Sequence, residues 1–270
     1  MLPDVWVANE EYFHRFPSRT DRDWLHEAFA EIAQSQAGRL LFDQDHNPLY
    51  QLPISHDAAK ALIGFWRRRG EDGMLVHDFT GEDTRFLGDL YQDLSEQARK
   101  TYALLQTPEF VEEFILDLTL TPAIDEFGLD VVRVIDPTCG SGHFLLGAFH
   151  RMLAQWQQQA PARDRHEHLR LALDAVHGVD INPFAVAIAR FRLLVEALHA
   201  AGFTTLEEAK GYEFPLHVAV GDALIKHRQL TLFEDDDELA AFRYATEDLD
   251  EHPGILKPGT YHVVVGNPRM

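Results

Sequence analysis

The stretch from Val131 to Leu146 constrains the fold of this chain more than any other segment. A short apolar run ends in Asp136, a turn with Gly140 and Gly142 follows, and an amphipathic helical pattern then begins. Glycine adopts backbone dihedral angles that other residues avoid, and it lets the backbone approach a ligand closely. A turn of this kind, after the first strand of an open α/β sheet, is a typical position for a nucleotide-like ligand.

Two other glycine-rich turns do not match this stretch. A phosphate-binding P-loop closes with Gly-Lys-Ser/Thr, whereas Gly142 is followed here by His143 and Phe144. The dinucleotide pattern G-x-G-x-x-G requires a third glycine where Leu145 stands. An ordinary strand-to-helix turn would also contain a glycine, but it would not require the whole string.

Short apolar runs alternate with amphipathic helical patterns in the second part of the chain. The runs predict strands at Val131–Ile135, Ala175–Val179, Leu216–Val220 and Val263–Val265. Asn182 is predicted to cap the helix after the second strand. The alternation predicts an α/β fold with a doubly wound, Rossmann-like parallel sheet that is incomplete.

The first hundred residues show only helical periodicity. Apolar residues recur at helical spacing in three segments. These are Trp24, Leu25, Ala28, Phe29, Ile32 and Ala33; Ala58, Ala61, Leu62, Phe65 and Trp66; and Leu87, Leu90, Tyr91, Leu94, Ala98 and Leu105. We therefore predict a helical N-terminal region of residues 1–105, followed by an α/β domain of residues 106–270. Thr107 is predicted to cap the first helix of that domain, with Pro108 at its first position.

Composition is typical of a globular protein. Hydrophobic residues make up 46% of the 270 positions, and no apolar run approaches the length of a membrane span. The single cysteine, Cys139, excludes an internal disulfide, and we expect a cytoplasmic protein. The acidic clusters Glu234–Glu238 and Glu247–Glu251 are expected to form a solvated insertion rather than a metal site. His166 and His168 are likewise expected at the surface, so no metal is predicted.

The string from Asp136 to Leu145 resembles motif I of the adenine-specific DNA methyltransferases that use S-adenosylmethionine. Four further matches occur in the order of that family. Thr107-Pro108 resembles its upstream Thr-Pro element, Val179–Pro183 motif II, Gly221–Leu224 motif III and Val263–Pro268 the start of motif IV. The resemblance is closest to the large methyltransferases of phage-growth-limitation (BREX-type) defence systems.

This resemblance implies a cofactor site for S-adenosylmethionine. Its residues would be Thr107, Pro108, Asp136, Pro137, Thr138, Cys139, Gly140, Gly142, Phe144, Asp180, Ile181, Asp222 and Ala223. Asp136 and the glycine turn would lie beside the methionine part, where a carboxylate suits the ammonium group. Asp180 would accept from the ribose hydroxyls, Ile181 would flank the adenine ring, and Asp222 would accept from its exocyclic amine. For Cys139, a role as a small buried residue is favoured over nucleophilic catalysis.

The resemblance assigns the methyl-transfer chemistry to Asn267 and Pro268. Oxygen atoms that accept hydrogen bonds from the target amine stabilise the charge that develops as the amine attacks. The family signature then places an aromatic residue where Met270 stands. We therefore expect the chain to be a fragment that ends inside motif IV and is inactive alone.

The charge of the chain bears on its partners. Forty-four acidic against 24 basic residues give a net charge of −20, which repels a phosphate backbone. We expect DNA to be contacted mostly through regions absent from this chain, and other defence-system proteins are further expected partners. A non-catalytic module that binds S-adenosylmethionine or a partner, and a protein or RNA methyltransferase, remain alternatives.

Overall fold

A computed structural model describes most of the chain. The described residues are 13–34, 36–51, 54–77, 84–88, 107–204, 208–209, 211–224 and 248–267. The chain divides into two compact units. One unit comprises Met1–Asp83 and Phe203–Gly211, and the other comprises Thr84–Gly202 and Tyr212–Met270.

The first unit is helical in its described part. Its helices are α1 (Asp21–Ile32), α2 (Gln36–Phe42), α3 (Pro48–Gln51) and α4 (His56–Trp66). Helix α1 begins with a capping box, in which the Thr20 hydroxyl accepts from the Asp23 N–H and the Asp23 carboxylate accepts from the Thr20 N–H. The predicted helix around Trp24 is confirmed.

The apolar stripe predicted for α4 is wrong. Ala59 and Ile63 are the residues that pack with Trp24 and Leu25 in the core of this unit. The predicted stripe residues Leu62, Phe65 and Trp66 are each at least 40% exposed. Ala58 and Ala61 are exposed as well. Most of the third predicted segment, Leu87–Leu105, lies outside the described residues.

The second unit contains strands and helices in alternation. Its elements are α5 (Glu109–Leu118), α6 (Leu120–Phe127), β1 (Val134–Asp136), α7 (His143–Gln159), α8 (Arg165–Asp174), β2 (Val176–Asp180), α9 (Pro183–Ala201), β3 (His217–Val220) and β4 (Val263–Val264). A short 3₁₀ helix, Leu249–Glu251, precedes β4. Among these described elements, no helix combines the length and apolar character needed to cross a membrane.

The four strands form one parallel sheet in the order β3-β2-β1-β4. Val134 pairs with Val176 on one side and with Val263 on the other, and His177 of β2 pairs with His217 of β3. The predicted α/β class and parallel sheet are confirmed. Because the strands run in one direction, their carboxyl ends meet at one edge of the sheet.

Strand β1 begins three residues later than predicted. Gly128 ends α6 with a φ of +93°, and its carbonyl oxygen accepts from the N–H groups of Val131 and Val132. These bonds hold Val131 in a turn, where it is 48% exposed. The apolar sequence therefore extends beyond the strand.

Helix starts were predicted with mixed success. Asn182 caps α9, since its side-chain oxygen accepts from the N–H groups of Phe184 and Ala185, and Pro183 follows as predicted. Thr107 does not cap α5, because Pro108 itself occupies the cap position and its carbonyl accepts from Val111. Thr107 lies one residue earlier and is buried.

Candidate functional site

Four of the predicted site residues lie at the carboxyl edge of the sheet. Asp136 is the last residue of β1 and Asp180 is the last residue of β2. Asp222 follows β3 by two residues, and Asn267 follows β4 by three. The sheet order therefore brings the carboxyl ends of four strands to one edge, although the residues there range from Asp136 to Asn267 in the sequence.

The turn after β1 has the conformation that its glycines predict. Gly140 and Gly142 have φ angles of +53° and +84°, a region that other residues rarely adopt. Gly142 also leaves room for α9, since a Cβ atom there would lie 2.9 Å from the Cβ of Ala189. The Cys139 N–H donates to the Val179 carbonyl at 3.0 Å, which ties the turn to β2.

Asp180 fixes the turn from the neighbouring strand. One carboxylate oxygen accepts from the Gly140 N–H at 2.8 Å, and the other accepts from the Asn182 N–H at 2.8 Å. Burial raises the pKa of Asp180, while these two N–H groups oppose the rise. Each carboxylate oxygen keeps a second lone pair, which leaves capacity for the ribose contact that remains a prediction.

Asp136 is a buried carboxyl group at the centre of the edge, only 2% exposed. Its Oδ1 accepts from the N–H of Thr138 at 3.0 Å and from the Thr138 hydroxyl at 3.4 Å. Burial raises the pKa of Asp136 to about 7, and the negative charge of Asp180 adds to the rise. A nearby cation would lower the pKa of such a group, because a positive charge favours its ionised form.

Gly266 brings motif IV directly against motif I. A Cβ atom at Gly266 would lie 2.7 Å from Asp136 Oδ1 and 3.2 Å from the Thr138 hydroxyl oxygen. The Val265 N–H donates to the Ile135 carbonyl at 3.0 Å, which holds the segment after β4 in register with β1. Asn267 follows immediately and is exposed, and Pro268 lies outside the described residues. Sequence reasoning missed the role of Gly266, although its place before Asn267 was a signal.

The third acidic position lies beside the second. The Gly221 N–H donates to the backbone carbonyl of Asp180 at 2.9 Å. The carboxylate of the next residue, Asp222, accepts from the Leu224 N–H at 2.8 Å and is partly exposed. Ala223 packs against the small cluster of Ile135, Val179, Ala219 and Ile255. The predicted contact of Asp222 with an adenine amine remains a prediction.

The remaining predicted cofactor residues differ in exposure. Ile181 is 39% exposed, which suits contact with a planar ring, and Pro137 is partly exposed. Phe144 is 2% exposed and packs in the core, so this structure offers no face of its ring to a ligand. Cys139 is also buried, and burial raises the pKa of its thiol well above the usual range, which disfavours a thiolate nucleophile.

Sequence reasoning missed two buried arginines on α9. Arg192 donates to the Ser141 carbonyl within the glycine turn at 2.7 Å. Arg190 donates to the Val218 carbonyl of β3 and to the carboxylate of Asp248, which in turn accepts from the Val220 N–H at 2.7 Å. Two arginines among the mostly apolar residues of this helix were the available signal, since a buried charge needs specific partners.

The histidine expectations hold only in part. His168 is buried rather than at the surface, with its Nε2 3.0 Å from the Ala160 carbonyl oxygen, while His166 is partly exposed. No group of three or more His, Cys, Asp or Glu side chains within the described ranges could hold a metal ion. The acidic cluster Glu234–Glu238 lies outside these ranges.

Residues 126–268 match the sequence model of a family described as the MmeI DNA-methyltransferase domain. This match covers more than half of the 270 residues. The chain belongs to this family. The resemblance to DNA methyltransferases is thereby confirmed for residues 126–268, the range that contains Asp136, Asp180, Asp222 and Asn267.

A curated relative and two solved structures are similar to this chain. The chain is 64% identical, over 281 aligned positions, to the adenine-specific methyltransferase PglX of Streptomyces coelicolor, an alignment that covers 98% of this chain and 23% of PglX. The chain thus spans about a quarter of the length of this relative.

The solved structures are less similar in sequence. The ATP-dependent Type ISP restriction-modification enzyme LlaBIII bound to DNA is 16% identical with a TM-score of 0.49, over 99% of this chain and 18% of that one. The DrdV–DNA complex is 16% identical with a TM-score of 0.45, over 99% and 28% of the two chains. The fold assignment rests on the strand order and the family match.

Proposed function

We propose that this domain binds S-adenosylmethionine at the carboxyl edge of its sheet and, within a longer protein, methylates the exocyclic amine of adenine in DNA. The contact between Gly266 and Asp136 is the observation that carries the proposal, because it joins the cofactor motif to the start of the catalytic motif. The identity to the adenine-specific methyltransferase PglX supports adenine as the target. Phage defence by restriction-modification is the setting that the family resemblance implies.

The residues at the edge fit this cofactor. Its ammonium and sulfonium groups are cations. Burial has raised the pKa of Asp136 to about 7, and a cation beside this carboxyl group would favour its ionised form and pair with it. Asp180 and Asp222 offer further acceptor oxygens at the ends of the next two strands. When bound, S-adenosylmethionine supplies the activated methyl group.

Asn267 is the residue that we assign to the target amine. Its side-chain oxygen can accept a hydrogen bond from that amine and stabilise the positive charge that develops there. The backbone before it is fixed, since Val265 is bonded to β1 and Gly266 lies against Asp136. Asn267 itself is exposed, as a residue that meets an extruded base must be. Pro268 belongs to the same proposed catalytic loop.

The charge balance supports a division of labour within the longer protein. A net charge of −20 opposes binding to a phosphate backbone. We therefore assign most DNA contacts to regions outside this chain and the cofactor site to this domain. A cytoplasmic location and other defence-system proteins as partners belong to the same proposal.

Methyl transfer tests the proposal. The intact protein is incubated with S-adenosylmethionine carrying a labelled methyl group and with DNA, RNA or bulk protein as acceptor. Label in N6-methyladenine of the DNA is the expected result. Label in RNA or protein, with none in DNA, would contradict it.

A further inference from the structure

Arg192 lies behind the glycine turn and is fully buried. Its Nη1 donates to the Ser141 carbonyl at 2.7 Å, and its Nε donates to the Thr84 hydroxyl at 3.4 Å. A guanidinium group stays charged at all physiological pH values, and burying it is costly unless it is well paired. A buried arginine that donates to the backbone of a ligand-binding turn therefore calls for an explanation.

A buried acid accompanies this arginine. Glu112 of α5 is 2% exposed, and Arg85 forms an ion pair with it at 3.5 Å. Burial raises the pKa of Glu112 to about 7, and the charges of Arg85 and Arg192 oppose that rise. Gly147 of α7 makes room for this acid, since a Cβ atom there would overlap Glu112 Oε1. Glu112 of α5 thus lies against α7, and its carboxyl group is near enough to Arg192 of α9 for the two charges to interact.

The peptide group that Arg192 holds lies in a turn with two glycines. The Ser141 carbonyl and the Gly142 N–H belong to one planar peptide unit, and both Gly142 and the preceding Gly140 have positive φ angles. Arg192 fixes this unit at its oxygen, while the Cys139 carbonyl fixes it at its nitrogen at 2.9 Å. Without the arginine, one of these two restraints on the turn is lost.

We infer that Arg192 is a positioning residue for the cofactor, which orients the glycine turn so that the turn and Asp136 meet the methionine part of S-adenosylmethionine. The inference rests on the proposed function. It predicts a selective effect: loss of Arg192 weakens recognition of the methionine part and leaves recognition of the adenosine part, at the ends of β2 and β3, largely intact.

Arg190 provides a matched control on the same helix. It is 2% exposed and also donates to a backbone carbonyl, but that carbonyl is Val218 of β3 and its acidic partner is Asp248. A purely structural effect of removing a buried arginine from α9 should appear in both variants. An effect on the turn should appear only when Arg192 is changed.

The test compares two ligands by calorimetry. S-adenosylmethionine contains the methionine part, whereas 5′-methylthioadenosine lacks the amino-acid portion. Arg192→Lys, which keeps the charge, and Arg192→Met are measured beside Arg190→Lys, with thermal unfolding of each protein. If Arg192→Met does not fold, the lysine variant decides.

The expected result for Arg192→Lys is an affinity for S-adenosylmethionine reduced at least about tenfold, with affinity for methylthioadenosine changed less than about threefold. Arg190→Lys is expected to lower the melting temperature without changing the ratio of the two affinities. An unchanged ratio in the Arg192 variants would overturn the inference and leave the proposed function standing. A folded wild-type protein that binds neither ligand would overturn both.

Discussion

Gly266 lies so close to the buried carboxyl group of Asp136 that a single added carbon would stand 2.7 Å from its Oδ1. The residue before Asn267 is thus in contact with the residue that we assign to the cofactor ammonium group. This relationship explains why a glycine precedes Asn267. It also couples the geometry of the proposed catalytic loop to the proposed cofactor site.

Gly266→Ala is expected to destabilise the protein by about 1–3 kcal/mol, because the buried carboxyl cannot move away without losing its bonds to Thr138. Affinity for S-adenosylmethionine should fall as well. Thermal unfolding and calorimetry check both effects. Gly64→Ala is the control, since a Cβ atom there meets nothing within 4 Å and an alanine in the exposed part of α4 should stabilise it slightly. Equal behaviour of the two variants would contradict this account of Gly266.

Asp136→Asn should change how stability depends on pH. Asp136 has a pKa of about 7 in the folded protein against an ordinary 3.8. Its contribution to the free energy of unfolding is therefore intact below about pH 4 and is lost as the pH rises to about 7. Asparagine keeps the neutral shape and escapes this loss. The free energy of unfolding of the variant, relative to that of the wild type, should therefore rise by on the order of 3–4 kcal/mol over that range. Denaturant unfolding at pH 4 and pH 8 measures the difference, and a constant difference would count against a raised pKa.

His177 should act in the opposite direction. It is buried on β2, and burial together with the neighbouring His217 lowers its pKa to about 4 from the ordinary 6.5. The unfolded chain therefore takes up a proton before the folded one does, and stability falls as the pH drops from about 6.5 to about 4. As the pH falls through this window, the free energy of unfolding of His177→Gln should rise relative to that of the wild type by on the order of 2–3 kcal/mol. Denaturant unfolding of both proteins at pH 7 and pH 4.5 measures this change. The same stability difference between them at both pH values would refute the lowered pKa of His177.

Asn267→Ala should separate methyl transfer from cofactor binding. The side chain is exposed and is assigned to the target amine, so its loss should lower the rate of DNA methylation by the intact protein by about a hundredfold or more. Affinity for S-adenosylmethionine should change less than about threefold, because the acids that we assign to the cofactor lie at the ends of β1 to β3. A parallel loss of binding and rate would show that Asn267 belongs to the cofactor site instead.

Local patterns were enough to predict the strand–turn–helix units and the N-terminal cap of α9. The glycine turn, Asn182-Pro183 and the apolar runs are each recognisable within about ten residues, because the backbone there obeys local rules. The convergence of the acids followed from the parallel sheet alone. The sequence therefore predicts which acids lie at the ends of the first three strands.

The partners of buried polar groups were not predictable in the same way. Arg192 is bonded to residues 51 and 108 positions away, and Arg190 to residues 28 and 58 positions away. Such pairs depend on how helices pack, and no periodicity encodes them. The apolar stripe predicted for α4 was wrong for a related reason, since the face that packs with Trp24 and Leu25 carries Ala59 and Ile63 instead.

The measurement that tests the central claim most directly is calorimetric titration of S-adenosylmethionine into the purified protein and its Asp136→Asn variant at pH 6 and pH 8. Because a bound cation favours ionised Asp136, we predict binding by the wild type that is tighter at pH 8, with proton release at pH 6. The variant should bind more weakly and show little change with pH. No binding by a wild-type protein that unfolds cooperatively, or equal affinities for wild type and variant at both pH values, would contradict the account.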